Sequence, residues 1–178
     1  MLNQLTTARL SLAPLSQEDQ DFVLELVNTP GWLRFIGDRK VHTSEEASCY
    51  IAKINGTPDL YYWVARLKDT GAPLGIITFL KRNYLPHFDL GFAFLPQYTG
   101  AGYAQEAAAA VLSTLSSMPG HATILATTLP TNERSMQLLT KLGFRFSQEL
   151  QVGNDLLRVY AHHAKTPEVQ VAEADQPA

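Results

Sequence analysis

Asp89-Leu-Gly-Phe-Ala-Phe-Leu-Pro-Gln-Tyr-Thr-Gly-Ala-Gly-Tyr-Ala-Gln-Glu-Ala107 carries the most structural information in this chain. Phe88 to Leu95 is apolar and rich in β-formers, which predicts a buried strand. A short loop with Gly100 and Gly102 follows and opens directly into a helix. Ala104, Ala107, Ala108, Val111, Leu112 and Leu115 fall on one side of that helix, and Pro119-Gly120 ends it. The first turn of a helix leaves N–H groups without internal partners, and its dipole adds partial positive charge. Glycines let the backbone approach an anion, so Gly100 to Ala104 has the makings of a phosphate or diphosphate cradle. A tight strand-to-helix turn with no ligand has the same local sequence. The stretch has neither the Lys and Ser/Thr of a Walker loop nor the G-x-G-x-x-G of a Rossmann site.

Downstream, Thr123 to Thr128 reads as a strand and Asn132 to Leu142 as a helix closed by Gly143. Two last strands cover Phe144 to Gln151 and Leu156 to Ala161, with a turn at Gly153-Asn154. Upstream, Leu60 to Leu67 and Leu74 to Leu80 are strands joined by the turn Lys68 to Pro73. Arg9 to Leu15 alternates as a first strand. Ser16 and Asp19 then start a helix whose stripe is Phe22, Val23, Leu26 and Val27, and which Pro30-Gly31 stops. A second helix begins at Thr43 or Ser44, with Glu46 in its first turn and Ala47, Tyr50, Ile51 and Ile54 on its apolar face. Helices, a run of strands, then strand–helix–strand–helix–strand–strand predict an α+β domain with a mixed sheet.

The 178 residues suit one domain able to bury a core, expected over residues 1–164, with a polar, acidic tail over 165–178. Hydrophobic residues make up 46% and charged residues 17%, a globular balance. A net charge of -3 with scattered Lys and Arg argues against a nucleic-acid binder. Cys49 is the only cysteine, so no internal disulfide forms and a reducing, cytoplasmic setting fits. No run approaches the roughly 18 apolar residues of a membrane span, and the N-terminus lacks the pattern of a signal peptide. His162-His163 has no metal spacing with other ligands, and no metal is expected.

In this order and register the chain resembles the GNAT acetyltransferases, in particular the RimJ/RimL-like branch. The likeness rests on Arg34-Phe-Ile-Gly-Asp-Arg39, Leu74-Gly-Ile-Ile77, Asp89 to Pro96, Gly102-Tyr-Ala-Gln-Glu-Ala107 and Asn132 to Phe144. The family's signature Gln/Arg-x-x-Gly-x-Gly/Ala falls on Thr99-Gly100-Ala101-Gly102-Tyr103-Ala104, with Thr99 where Gln, Arg or an aromatic is usual. The resemblance implies a central, mostly antiparallel twisted sheet flanked by helices, and acetyl-CoA as co-substrate. It also implies that the strand ending at Leu95 splays from its neighbour. Free main-chain groups around Phe94 and Leu95 would then bond the pantetheine arm, and an N–H would polarise the thioester carbonyl.

Further roles follow from the same likeness. Asn132 matches a residue that contacts the cofactor arm, and Ser135 a hydroxyl near the CoA sulfur; capping explains both equally well. Leu139 stands where many members place a Tyr that protonates the departing thiolate, which leaves Ser135 or water for that task. Similar enzymes carry Asp or Glu at Asp89, the candidate base for the incoming ammonium, although a solvated strand-start carboxylate looks the same. Trp32, Arg34, Phe35 and Arg39 lie in the region that lines the acceptor pocket, with core packing the alternative for the apolar ones. The implied activity is direct transfer of acetyl to a primary amine, on a protein N-terminus or a small molecule. A non-catalytic acyl-CoA sensor and a transferase of another acyl group remain open, as do monomer and homodimer. Cys49 is expected to be a partly buried helix residue.

Overall fold

The computed structural model describes residues 4–164. Along the chain run β1 (Leu5–Thr6), β2 (Leu10–Pro14), α1 (Gln20–Val27), α2 (Pro30–Phe35), α3 (Ser44–Asn55), β3 (Leu60–Leu67), β4 (Pro73–Leu80) and β5 (Asp89–Phe94). There follow α4 (Tyr103–Ser116), β6 (Thr123–Thr128), α5 (Glu133–Lys141), β7 (Arg145–Val152) and β8 (Asp155–His163). Among these residues the strands form one sheet in the order β1-β2-β3-β4-β5-β6-β8-β7. Every neighbouring pair is antiparallel except β5 and β6. Those two are parallel because α4 crosses over between them. The architecture is the mixed α+β sheet that the order of elements predicts.

Pleating sends alternate side chains to opposite faces. Trp63 and Ala65 of β3 pack with Ala107, Ala108, Val111, Leu112 and Leu115 of α4 and Leu139 of α5. Val64 packs on the other face with α1, α2 and α3, through Leu26, Trp32, Ile51 and their neighbours. The sheet is therefore covered on both sides, and the mouth of α4 lies where β5 ends.

Two local expectations change, and one short strand, β1, has none attached to it. Pro30 does not stop α1, which ends at Val27; it opens a second short helix, α2. Proline suits the first position of a helix because that N–H has no partner there, and Thr29 caps the helix by accepting from Trp32 N–H. The two-residue β1 carries too little sequence to show a period. Cys49 is exposed, not partly buried, because α3 turns its Ala47, Ile51 and Ile54 side inward. α3 begins at Ser44 as expected, with Thr43 and Glu46 forming a capping box at its start. The proposed tail, 165–178, lies outside the described residues.

Candidate active site

β5 and β6 touch at one end and then part. Their ladder is a single register pair, Asp89 with Leu125, with Leu125 N–H bonded to the Phe88 carbonyl at 2.8 Å. At the vertex the Asp89 side chain replaces the next rung. Its Oδ1 accepts Thr127 N–H at 3.0 Å and its Oδ2 accepts Thr127 Oγ1 at 3.1 Å. The Arg82 guanidinium donates to the same Oδ2. Only 2% of Asp89 is exposed. Burial pushes its carboxyl above the ordinary value, while Arg82 and Thr127 oppose that shift. Asp89 is thus a fully engaged buried carboxylate, and the solvated strand-start reading of it is corrected. Three of its roughly four acceptor directions are taken, so although burial raises its basicity, the carboxylate turns little free lone-pair surface toward an incoming ammonium.

Beyond Asp89, only one edge of β5 is paired. Leu95 N–H bonds Leu74 O at 2.8 Å, and its carbonyl accepts Tyr98 N–H at 3.0 Å. Leu95 therefore does not offer the free main chain expected of it. In an antiparallel ladder the groups of successive residues point alternately to the two sides. With Leu95 turned to β4, the N–H and C=O of Phe92 and Phe94 face the widening gap. Gly75 allows this geometry: a Cβ there would run into the Phe94 ring and lie 2.6 Å from Ala93 O.

Past β5, Pro96–Tyr98 makes a single tight turn, and Thr99 Oγ1 is spent inside it on Pro96 O at 2.8 Å. Gly100 and Gly102 have φ of +84° and +81°, a region most side chains avoid. Gly102 is the residue before α4, and no side chain caps the helix. The first intrahelical bond in the mouth runs from Glu106 N–H to Gly102 O, at 3.0 Å. The N–H groups of Tyr103, Ala104 and Gln105 precede it and have no carbonyl a turn back to meet. Gly100, Ala101 and Gly102 are exposed, and Tyr103 and Ala104 are half-buried. The candidate cradle is open to a ligand, and its amides are available.

On the same sheet face, Asn132 Oδ1 caps α5 by accepting Ser135 N–H at 3.2 Å. Both residues are half-buried, while Leu139 is buried against α4. On the opposite face, Trp32 belongs to the core and donates its Nε1–H to Gly37 O at 3.1 Å. Arg34 lies over the Phe35 ring, 4.9 Å from its centroid, and Arg34 and Arg39 are exposed. Tyr62 lies nearby, with its hydroxyl driven far above the usual phenol value by burial and by Tyr50. Of the four acceptor candidates, the structure makes Trp32 a core residue and leaves Arg34, Phe35 and Arg39 accessible or half-accessible.

A strand that splays from its parallel neighbour and ends at an uncapped, glycine-led helix mouth suits a long, anion-bearing ligand. The sequence matches the family described as Acetyltransferase (GNAT) domain over residues 9–145. The chain is a GNAT acetyltransferase. It is 29% identical over 155 residues to the uncharacterized N-acetyltransferase YnaD of Bacillus subtilis (strain 168), spanning 85% of this chain and 90% of that one. It shares its fold with a GNAT acetyltransferase from Bacillus anthracis, at a TM-score of 0.78 and 24% identity, over 92% of this chain and 99% of that one. A ribosomal-protein-S5-alanine acetyltransferase from Vibrio fischeri superposes at a TM-score of 0.76 with 15% identity, covering 91% and 97%.

As a GNAT acetyltransferase the protein is an acyltransferase, of a family that uses acetyl-CoA as co-substrate and amines as acceptors. Among the described residues no three His, Cys, Asp or Glu side chains cluster as metal ligands, and no helix is long and apolar enough to cross a membrane. Sequence reasoning missed Arg82 and Thr127 at the vertex and Arg9 beside the helix mouth. Arg82 had one signal, a cation seven residues before a strand-start carboxylate. Arg9 had none, since its partners lie 92 and 97 residues away.

Proposed function

We propose that this GNAT acetyltransferase moves the acetyl group of acetyl-CoA directly to a primary amine while both substrates are bound. The observation that carries the reading is the mouth of α4, where free amides stand at the end of a strand whose own edge is free. The N–H groups of Gly102, Tyr103 and Ala104, with the loop Thr99 to Ala101, would hold the diphosphate. The pantetheine arm would add to the open edge of β5 at Phe92 and Phe94, with Asn132 on the far side of the gap. Leu95 contributes apolar support and no main-chain bond.

The amine must lose a proton before its lone pair attacks the thioester carbon. With Asp89 engaged by Arg82 and Thr127, a water receives that proton, and Asp89 contributes by fixing the vertex. As the N–C bond forms, negative charge grows on the thioester oxygen, and a β5 N–H stabilises it. The C–S bond then breaks, and Ser135 or solvent protonates the thiolate. A thiol with a pKa near 8.5 leaves readily enough that the absent tyrosine is not indispensable.

The acceptor enters from the α2 side, past Arg34, Phe35 and Arg39, while Trp32 shapes the wall from within the core. A protein N-terminus is one acceptor class, implied by the RimJ/RimL-like sequence pieces. A small-molecule amine is the other class. The single cysteine favours a cytoplasmic setting. Thiol release from acetyl-CoA, measured against a panel of N-terminal peptides and small amines, tests the reading. Amine-dependent release is expected. Tight thioester binding without release from any amine would replace the enzyme with a sensor, the reading that buried Leu139 favours. Faster turnover with another acyl-CoA would change the donor.

A further inference from the structure

The mouth of α4 is held from outside by the N-terminal edge of the sheet. Thr7 Oγ1 donates to Glu106 Oε1 at 2.5 Å, and Arg9 main-chain N–H donates to the same oxygen at 2.8 Å. Arg9 Nε donates to Glu106 Oε2 at 2.7 Å, and Arg9 Nη1 to Ala101 O at 3.0 Å. The guanidinium carbon lies 4.3 Å from the centroid of the Tyr103 ring. A Cβ built on Gly102 would stand 3.4 Å from Arg9 Nη2. One side chain thus touches or flanks Ala101, Gly102, Tyr103 and Glu106.

Two consequences follow from elementary chemistry. A trans peptide is planar, so Ala101 C=O and Gly102 N–H point in opposite directions. Anchoring that carbonyl on Arg9 aims the Gly102 N–H away from Arg9 and fixes the direction of the first amide of the mouth. Second, Glu106 puts a carboxylate in the first helical turn, where it competes with any bound anion for the helix's positive end. Arg9 and Thr7 occupy both of its oxygens and offset its charge.

We propose that Arg9 is the positioning residue of the coenzyme loop: it sets the Gly102 amide through the Ala101 carbonyl and neutralises Glu106, so that the mouth accepts a diphosphate. The inference rests on the acetyl-CoA reading of this site. It assigns Arg9 to binding of the phosphate portion of the donor and gives it no part in the chemical step.

The test uses the full chain and compares acetyl-CoA with S-acetylpantetheine, which lacks the diphosphate. Arg9→Ala is expected to raise Kd and KM for acetyl-CoA about tenfold or more, with kcat at saturation within about twofold. Use of S-acetylpantetheine should not change. Arg9→Lys keeps the charge but not the fork, and should lose about threefold or more. Arg9→Ala with Glu106→Gln should recover part of the affinity, because the uncompensated carboxylate is gone. Unchanged acetyl-CoA affinity in folded Arg9→Ala, or equal losses for both thioesters, overturns the proposal. If Arg9→Ala does not fold, the same comparison on Arg9→Lys decides, and wild-type affinity there overturns it. Wild-type protein that binds no CoA thioester would instead sink the acetyl-CoA reading itself.

Discussion

Replacing Asp89 by Asn separates a structural vertex from a free catalytic base. The carboxylate accepts three hydrogen bonds, one of them from Arg82, and is 2% exposed. In Asp89→Asn the new amide would keep one acceptor for Thr127 N–H, but its NH2 group would replace Oδ2 and face the Arg82 guanidinium donor to donor, while the Thr127 hydroxyl turns to accept from it. Removing one partner of a fully buried pair costs about 3–5 kcal/mol. Arg82 is 34% exposed, so water offsets part of the loss, and about 2–3 kcal/mol is the expected cost. At about 2–4 °C per kcal/mol for a chain of this size, Tm should fall by about 4–12 °C. Calorimetric unfolding measures that fall, and the pH dependence of kcat/KM provides the second readout. The acidic limb of the profile should keep its midpoint in Asp89→Asn, because the amine and water carry the proton. Wild-type stability, together with loss of that limb and a fall of about 10²-fold or more in rate, would refute the reasoning and restore Asp89 as the base.

Gly75→Ala should lower stability by about 1–3 kcal/mol, since the new Cβ would meet the Ala93 carbonyl at 2.6 Å as well as the Phe94 ring. It should also raise KM for acetyl-CoA through Phe94, and an unchanged Tm would contradict the close approach. His162 gives a pH signature: burial, with His163, holds its imidazolium below the ordinary value, and its Nδ1 is buried with no hydrogen-bond partner. The folded pKa lies below the unfolded one, so this contribution is present above about pH 6.5 and is lost as pH falls through the folded value. Urea unfolding from pH 7.5 to 5 should show a decline that is shallower in His162→Asn; identical slopes would remove His162 as a cause.

Much of the fold was legible because its signals are local. The stripe from Ala104 to Leu115 and the turn at Gly153-Asn154 each follow from a few neighbouring residues, and the elements appear within one or two positions of the expected bounds. Gly100 and Gly102 marked a strand-to-helix loop, and the structure places the loop there, with both glycines at positive φ. Pro30 misled because proline ends one helix and begins another with equal ease, and only the cap at Thr29 distinguishes the two. The candidate site was legible where backbone carries it, at the mouth of α4, and illegible where side chains meet across the fold. Asp89 was visible as a carboxylate, but its state depends on Thr127, 38 residues away on another strand. Leu95 was on the right strand, yet whether its N–H faces β4 or the gap is a matter of register parity, which composition does not encode.

Titration calorimetry of the wild-type chain with acetyl-CoA and with S-acetylpantetheine bears most directly on the claim that free amides at the mouth of α4 hold a diphosphate. Acetyl-CoA should bind at micromolar levels, a free energy of about -8 kcal/mol. S-acetylpantetheine should bind at least about a hundredfold more weakly, with the difference shrinking as salt is added. Equal affinity for the two thioesters, or no heat from either at millimolar concentration, would contradict the account.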